Sequence, residues 1–310
     1  MKVPLASVFL CLCLTQTAAS AQQLSVHDRR FAVDGVPRFL TFISYFGGMG
    51  ADNPAADLAF VKRSGFDGIR LWPNSPDGPP LMNAEGAIRP EGLSRLRSIL
   101  DRAADLGLIV DVTFTAEHIA GLDAARYEAA IVAAAAALRS RGNILFDLQN
   151  ERNVYGPRGR PLSIADVARI RQSVKRVDPA RLVTASNSGT PLPDAVRVTR
   201  AAALDVTAYH EARDASWYRA DRIRAIVAGL AAGGAPVYLQ EPSRFPFPST
   251  DRAEYFDRAR ANARAAGAAA WCFHTDLAFN LRAPGTLFEQ LLRGRAEPDW
   301  AFVRNLPRLR

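Results

Sequence analysis

Two short apolar runs in this chain end in glutamate. One is Ile144-Leu-Phe-Asp-Leu-Gln-Asn150-Glu151; the other is Pro236-Val-Tyr-Leu-Gln240-Glu241. Each is expected to form a buried strand whose polar residues surface at its C-terminal end. A carboxyl group beside an amide at a strand mouth suits a proton donor held over a bound ligand. Two such glutamates at one end of a barrel would form the carboxylate pair that glycoside hydrolysis uses. A gap of about 5–5.5 Å between them goes with retention of anomeric configuration, a wider one with inversion. An isolated glutamate is by default a solvated surface group, so the case for chemistry rests on the elements around these two.

Those elements follow a regular rhythm. Asp34-Gly35 marks the turn of a small hairpin spanning 31–39. Apolar strands are expected at 40–45, 68–73, 108–114, 144–150, 182–186, 204–210, 236–241 and 269–274. Helices are expected between them near 54–64, 90–106, 123–140, 164–177, 195–203, 217–231 and 251–265, with a last one at 286–292. In the second helix Leu93, Leu96, Leu100 and Ala103 form one apolar stripe, with Pro90 in its first turn and Gly107 at its stop. The glycines at 47, 48 and 50 fit neither the dinucleotide nor the P-loop spacing. Eight strands alternating with helices specify parallel pairing with helical crossovers. Eight such units in roughly 250 residues are the size of a single (β/α)8 TIM barrel, an α/β fold, and no linker composition marks a second domain.

The 310 residues are 48% hydrophobic and 23% charged, enough apolar chain for a sizeable core. Lys2, the apolar run 8–14 and Ala19-Ser20-Ala21 before Gln22 read as a secretory signal peptide over residues 1–21. The apolar run is too short to span a bilayer, and Cys11 and Cys13 each follow leucine, where a lipidation site calls for a small residue. Domain boundaries are therefore 1–21 and 22–310, with a secreted or periplasmic destination and no membrane attachment after cleavage. Cys272 is then the only cysteine, so no intramolecular disulfide forms. Loss of Lys2 takes the formal net charge from +8 to +7. The arginines are scattered without a basic run, which argues against nucleic acid.

Strand-end positions in a barrel are where catalytic residues sit. They give Tyr45, Arg70 with Trp72, Thr113 or Thr115, Asn150 with Glu151, Tyr209 with His210, Glu241, and Trp271 with His274. Buried Arg70 needs a partner, and Asp111 or Asp147 could supply a purely structural ion pair. Glu117 and His118 follow the third strand and suit either a solvated loop or a subsite. His274 and Asp276 read as structural or rim residues, and His27 as chemically idle. Tyr155, Trp217, Phe245 and Phe247 could stack on sugars, although aromatic packing under loops is commoner. No His-x-His or His-Glu-x-x-His spacing supports a metal site. Lys62 and Lys175 fall in expected helices, which removes a Schiff-base barrel. No cofactor is expected.

At these residues the chain resembles the clan A retaining glycoside hydrolases, most closely the cellulase-like family five. The similar segments are 31–40, Gly65-Phe-Asp-Gly-Ile-Arg70, Gly107-Leu-Ile-Val-Asp111, Phe146-Asp-Leu-Gln-Asn150-Glu151, Val177-Asp-Pro-Ala-Arg-Leu-Val183, Pro236-Val-Tyr-Leu-Gln-Glu241 and Ala270-Trp271. They run in the family's order over most of the mature chain. The resemblance implies Glu151 as acid/base, Glu241 as nucleophile, Asn150 on the sugar 2-hydroxyl, Arg70 holding Glu241 ionised, and Trp271 as a sugar platform. Two positions depart from the pattern. Thr113 stands where many relatives carry histidine. His210 is followed by Glu211 and Ala212 where the family often reads His-x-Tyr, and Tyr209, one position before His210, is the tyrosine that could compensate.

The expected activity is double-displacement hydrolysis of a β-linked oligo- or polysaccharide by a monomer. Glu151 must begin protonated and Glu241 ionised. The alternative, motivated by the two departures, is a non-catalytic or weakly active carbohydrate-binding barrel.

Overall fold

A computed structural model describes residues 22–189, 192–212, 214–242, 252–274, 287–295 and 297–308. Expectations placed on residues 1–21 and on Phe245, Phe247 and Asp276 lie outside the described residues.

The chain opens with an antiparallel three-stranded sheet: β1 (Leu24–His27), β2 (Arg30–Val33) and β3 (Val36–Arg38). Asp34 and Gly35 both have positive φ, 53° and 78°. That is the left-handed pair a two-residue hairpin turn requires. β1 was not anticipated, and His27 at its end is exposed.

The main sheet is parallel. Its strands are β4 (Leu40–Tyr45), β5 (Gly68–Leu71), β6 (Ile109–Thr113), β7 (Ile144–Asp147), β8 (Leu182–Thr184), β9 (Asn187–Ser188), β10 (Thr207–His210), β11 (Val237–Glu241) and β12 (Ala270–Phe273). Their order is β8-β7-β6-β5-β4-β12-β11-β10-β9. The two ends of that order, β8 and β9, are halves of one strand separated by Ala185 and Ser186. Asp205 N–H also donates to the Val183 carbonyl at 2.9 Å, and Thr184 Oγ1 to the Val206 carbonyl at 2.8 Å. Nine segments therefore make eight strands, and the ring closes as a (β/α)8 barrel.

Helices α1 (Pro54–Arg63), α2 (Pro90–Asp105), α3 (Ala124–Ala137), α4 (Ile164–Val177), α5 (Leu192–Ala201), α6 (Ala220–Ala231), α7 (Ala253–Ala265) and α8 (Phe288–Arg295) follow the expected places. Asn53 and Asp123 cap α1 and α3, and Ser163 with Asp166 forms a full capping box on α4. A further helix, α9 (Glu297–Asn305), was not anticipated. Its Phe302 packs against Trp271 and Phe273 on the outer face of β12.

Strand residues alternate between two cores, as period-2 geometry dictates. Outward residues such as Ile43, Ile69, Val110, Phe146 and Leu239 join the layer under the helices. Inward residues at the strand starts, including Leu40, Phe42, Ile109 and Leu145, form a second cluster with Leu24, Phe31 and Val33 of the N-terminal sheet. The hairpin thus plugs the bottom of the barrel. The opposite, C-terminal end carries the polar residues. There the glycine loop after β4 folds back on the loop after β5: a Cβ at Gly50 would overlap the Asp77 carbonyl oxygen. Close backbone approach, rather than ligand binding, explains that glycine.

Candidate active site

Alternation decides which strand-end residues meet. Arg70 projects into the barrel from β5, in register with Ser44 on β4 and Asp111 on β6. It is fully buried and makes its bonds in several directions. Nη1 donates to Glu241 Oε1 at 2.7 Å, Nη2 to Asn150 Oδ1 at 2.7 Å, and Nε to Thr113 Oγ1 at 3.0 Å. Asp111 and Asp147 lie 3.6 Å from Nε and Nη2. The structural ion pairs and the contact with Glu241 therefore coexist. Burial alone would lower the guanidinium pKa; Glu241, Asp111 and Asp147 together raise it above its ordinary value. Arg70 is a fixed positive charge shared by three carboxylates.

Those aspartates respond in turn. Burial pushes Asp111 up to about 7, with Arg70 opposing and Asp147 reinforcing the rise. Burial raises Asp147 as well, against Arg70 and the Ser186 hydrogen bonds. Gln240 joins them, donating from Nε2 to Asp111 Oδ2 at 2.8 Å while its Oε1 lies 3.2 Å from His210 Nε2.

Glu151 and Glu241 come together above this layer. His210 Nδ1 lies 2.9 Å from Glu151 Oε1 and 3.4 Å from Glu241 Oε1, so it faces both carboxylates as a donor. One oxygen of each glutamate and the His210 nitrogen all lie within 4.8 Å of one another. A cation could span such donors in principle. Arg70 Nη1, 2.7 Å from the same Glu241 oxygen, already places positive charge there, and hydrogen bonding accounts for the closeness.

Local backbone devices aim the two glutamates. A register shift between Tyr209 and His210 pairs His210 with Glu241, skipping Gln240. This bulge lets the consecutive residues Gln240 and Glu241 both serve the interior. Glu151 sits in the left-handed region with φ 48°, an uncommon state for a side-chain-bearing residue and one that clusters at functional sites. Ser186, in the break between β8 and β9, holds it there. Its Oγ accepts from Glu151 N–H at 3.0 Å, its carbonyl accepts from Arg152 N–H at 2.9 Å, and its own N–H donates to Asp147 at 2.9 Å.

Other expected residues divide by parity. Trp72 reaches the site: its ring lies 4.5 Å from the Arg70 guanidinium carbon and stacks on Phe46 at 4.5 Å. Asn150 spends its oxygen on Arg70, leaving the amide nitrogen for another acceptor. Tyr45, Tyr209 and Trp271 do not join the cluster. All three have the opposite parity and belong to the outer core, Tyr45 bonding Asp57 and Trp271 packing on Phe273 and Phe302. Trp217 is buried against Phe256. Tyr155 is 41% exposed, one turn beyond Glu151. Glu117 accepts from Gln149, and His118 is exposed.

Two inward residues, Ser44 and Gln240, went unrecognised as site residues in the sequence, and His274, a strand-end candidate there, reads from sequence as a structural or rim residue. His274 Nε2 lies 3.2 Å from Glu241 Oε2. Counting by twos from Leu40 would have flagged Ser44, and counting from Ala270 would have placed His274 on the inward face.

No protein-family model matches the sequence, and no curated protein matches it. Solved structures do. A family 5 glycoside hydrolase from Bacteroides vulgatus superposes with TM-score 0.72 at 16% identity, covering 94% of this chain and 71% of that one. An endo-1,4-β-mannanase from Rhizomucor miehei gives 0.65 at 15% identity, over 82% and 90% of the two chains. The hyperthermostable endo-1,4-β-D-mannanase of Thermotoga petrophila gives 0.67 at 14% identity, over 88% and 100%. At these identities the likeness is one of fold.

Proposed function

We propose that this chain is an exported retaining β-glycosidase working by double displacement. The observation that carries the reading is the approach of Glu151 and Glu241, within 4.8 Å oxygen to oxygen. A nearest-oxygen gap of that size is compatible with the carboxyl separation of about 5–5.5 Å that goes with a covalent intermediate, and is short for the wider separation that goes with inversion. In the first step a Glu241 oxygen attacks the anomeric carbon as the glycosidic bond breaks. Glu151 gives its proton to the leaving oxygen. Water then displaces Glu241, and the Glu151 carboxylate takes the water's proton, which restores both groups. Arg70 keeps Glu241 ionised and aimed, and the Asn150 amide nitrogen is available to a sugar hydroxyl. Export rests on the leader-like pattern of residues 1–21.

Two of the similar structures act on β-1,4-mannan by name, so β-1,4-mannosides head the substrates to test, followed by β-glucans. The departure at Thr113 does not favour the non-catalytic alternative, because Thr113 Oγ1 is built into the Arg70 network. A screen of β-linked glycans with the mature chain should release sugar from at least one, and Glu241→Gln should abolish release. Saturable binding without release across the panel would support the binding-only barrel instead.

A further inference from the structure

The site holds a histidine that the double displacement does not use. His274 follows β12, is 1% exposed, and projects inward between two partners. Its Nδ1 lies 2.8 Å from Ser44 Oγ on β4. Its Nε2 lies 3.2 Å from Glu241 Oε2. This is the oxygen opposite the one that Arg70 and His210 approach. Phe46 meets the imidazole edge to face at 5.1 Å and fixes the ring plane.

The resemblance calls for a tyrosine two residues after His210, but Ala212 stands there, exposed and without a donor. Tyr209 faces the outer core. Neither side chain can steady the second carboxylate oxygen. We propose that Ser44 and His274 form a positioning relay for Glu241, His274 donating from Nε2 to the carboxylate in place of the missing phenol. Ser44 donates its hydroxyl to Nδ1, which leaves the proton on Nε2. The 3.2 Å separation is that of an ion-pair contact, and catalytic contacts commonly tighten when substrate binds. A serine-nucleophile reading of the same three residues fails because Ser44 is fully buried beneath the histidine.

This inference rests on the glycosidase reading for its kinetic consequence but not for its structural one, so two measurements separate them. The first is imidazole 15N NMR, tractable because the chain has four histidines, with His274→Gln identifying the signal. The His274 signal should report the Nε2–H tautomer and move in Glu241→Gln. An Nδ1–H tautomer, or a signal indifferent to Glu241→Gln, overturns the relay whether or not the protein is a glycosidase. The second is mass-spectrometric labelling with 2-deoxy-2-fluoro-β-mannosyl and β-glucosyl fluorides, which trap a nucleophilic carboxylate. Labelling of Glu241 should slow about 10- to 100-fold in His274→Phe, the range for losing a donor to a charged group. Saturation should be unchanged, and His274→Gln, which keeps a donor near Nε2, should recover most of the rate. Equal labelling of wild type and His274→Phe, or equal slowing of the Phe and Gln variants in step with lost thermal stability, overturns the relay. A wild type that resists both reagents defeats the glycosidase reading, while the NMR result still decides the contact.

Discussion

Arg70 is the residue on which the site's electrostatics turn. A guanidinium with no exposure and three carboxylates around it is strongly constrained: removing it would leave those acids buried without a counter-charge, a loss of about 3–5 kcal/mol. Lysine in its place would keep the charge but not the fork that bonds Glu241 and Asn150 together. Arg70→Lys is therefore expected to fold and to lose roughly 100-fold or more in kcat/KM. A fully active lysine variant would show that the fork is dispensable. Glu151 offers a sharper test. Glu151→Ala should lose most activity on poor leaving groups, keep more on good ones, and regain rate when azide is added, because the small anion enters the vacated space and attacks the glycosyl intermediate without base catalysis. No azide response on activated substrates would remove Glu151 from the acid/base role.

At the scale of elements, the site depends on irregularities rather than on ideal strands. The break between β8 and β9 exists so that Ser186 can hold Glu151 and Asp147 at once. Ser186→Ala removes the acceptor for a buried N–H and should cost about 1–3 kcal/mol in a denaturant melt. It should also slow substrates with poor leaving groups more than activated ones, because it loosens the proton donor. Equal slowing of both would make Ser186 merely structural. These irregularities explain what the sequence did and did not disclose. The eight strands, seven intervening helices and the Arg70, Asn150, Glu151, His210 and Glu241 constellation were legible, since apolar runs, caps and strand-end polar residues are local signals. Tyr45, Tyr209 and Trp271 were misplaced because each stands one residue out of phase with an inward neighbour, and a one-residue slip turns a side chain to the other face. Glu241 itself escapes strict alternation only through the bulge at Gln240, which no pattern of apolar residues encodes. His274 looked peripheral because its partner Ser44 lies 230 positions away.

For the whole molecule, the barrel is plugged at one end by the N-terminal sheet and polar at the other, which fixes the direction from which a substrate enters. Its stability should carry a signature of an acid buried behind the site. Glu211 is fully enclosed, and burial pushes it up to about 8, with Arg222 3.7 Å away opposing the rise. The folded state keeps a proton that the unfolded chain releases near the ordinary value of 4.5. Stability should therefore fall as pH rises from about 4.5 to about 8 and level off above that. Glu211→Gln has no such proton to lose, so its melting temperature should vary less over that window and equal or exceed the wild type's at pH 8. A variant less stable than wild type at pH 8 would show that the charged carboxylate is favoured there. The most direct test of the two facing glutamates is the configuration of the first sugar released, read by proton NMR before mutarotation. Glutamates this close predict a β product from a β-linked substrate. An α product would mean that water, not Glu241, attacks the anomeric carbon, and would contradict the account.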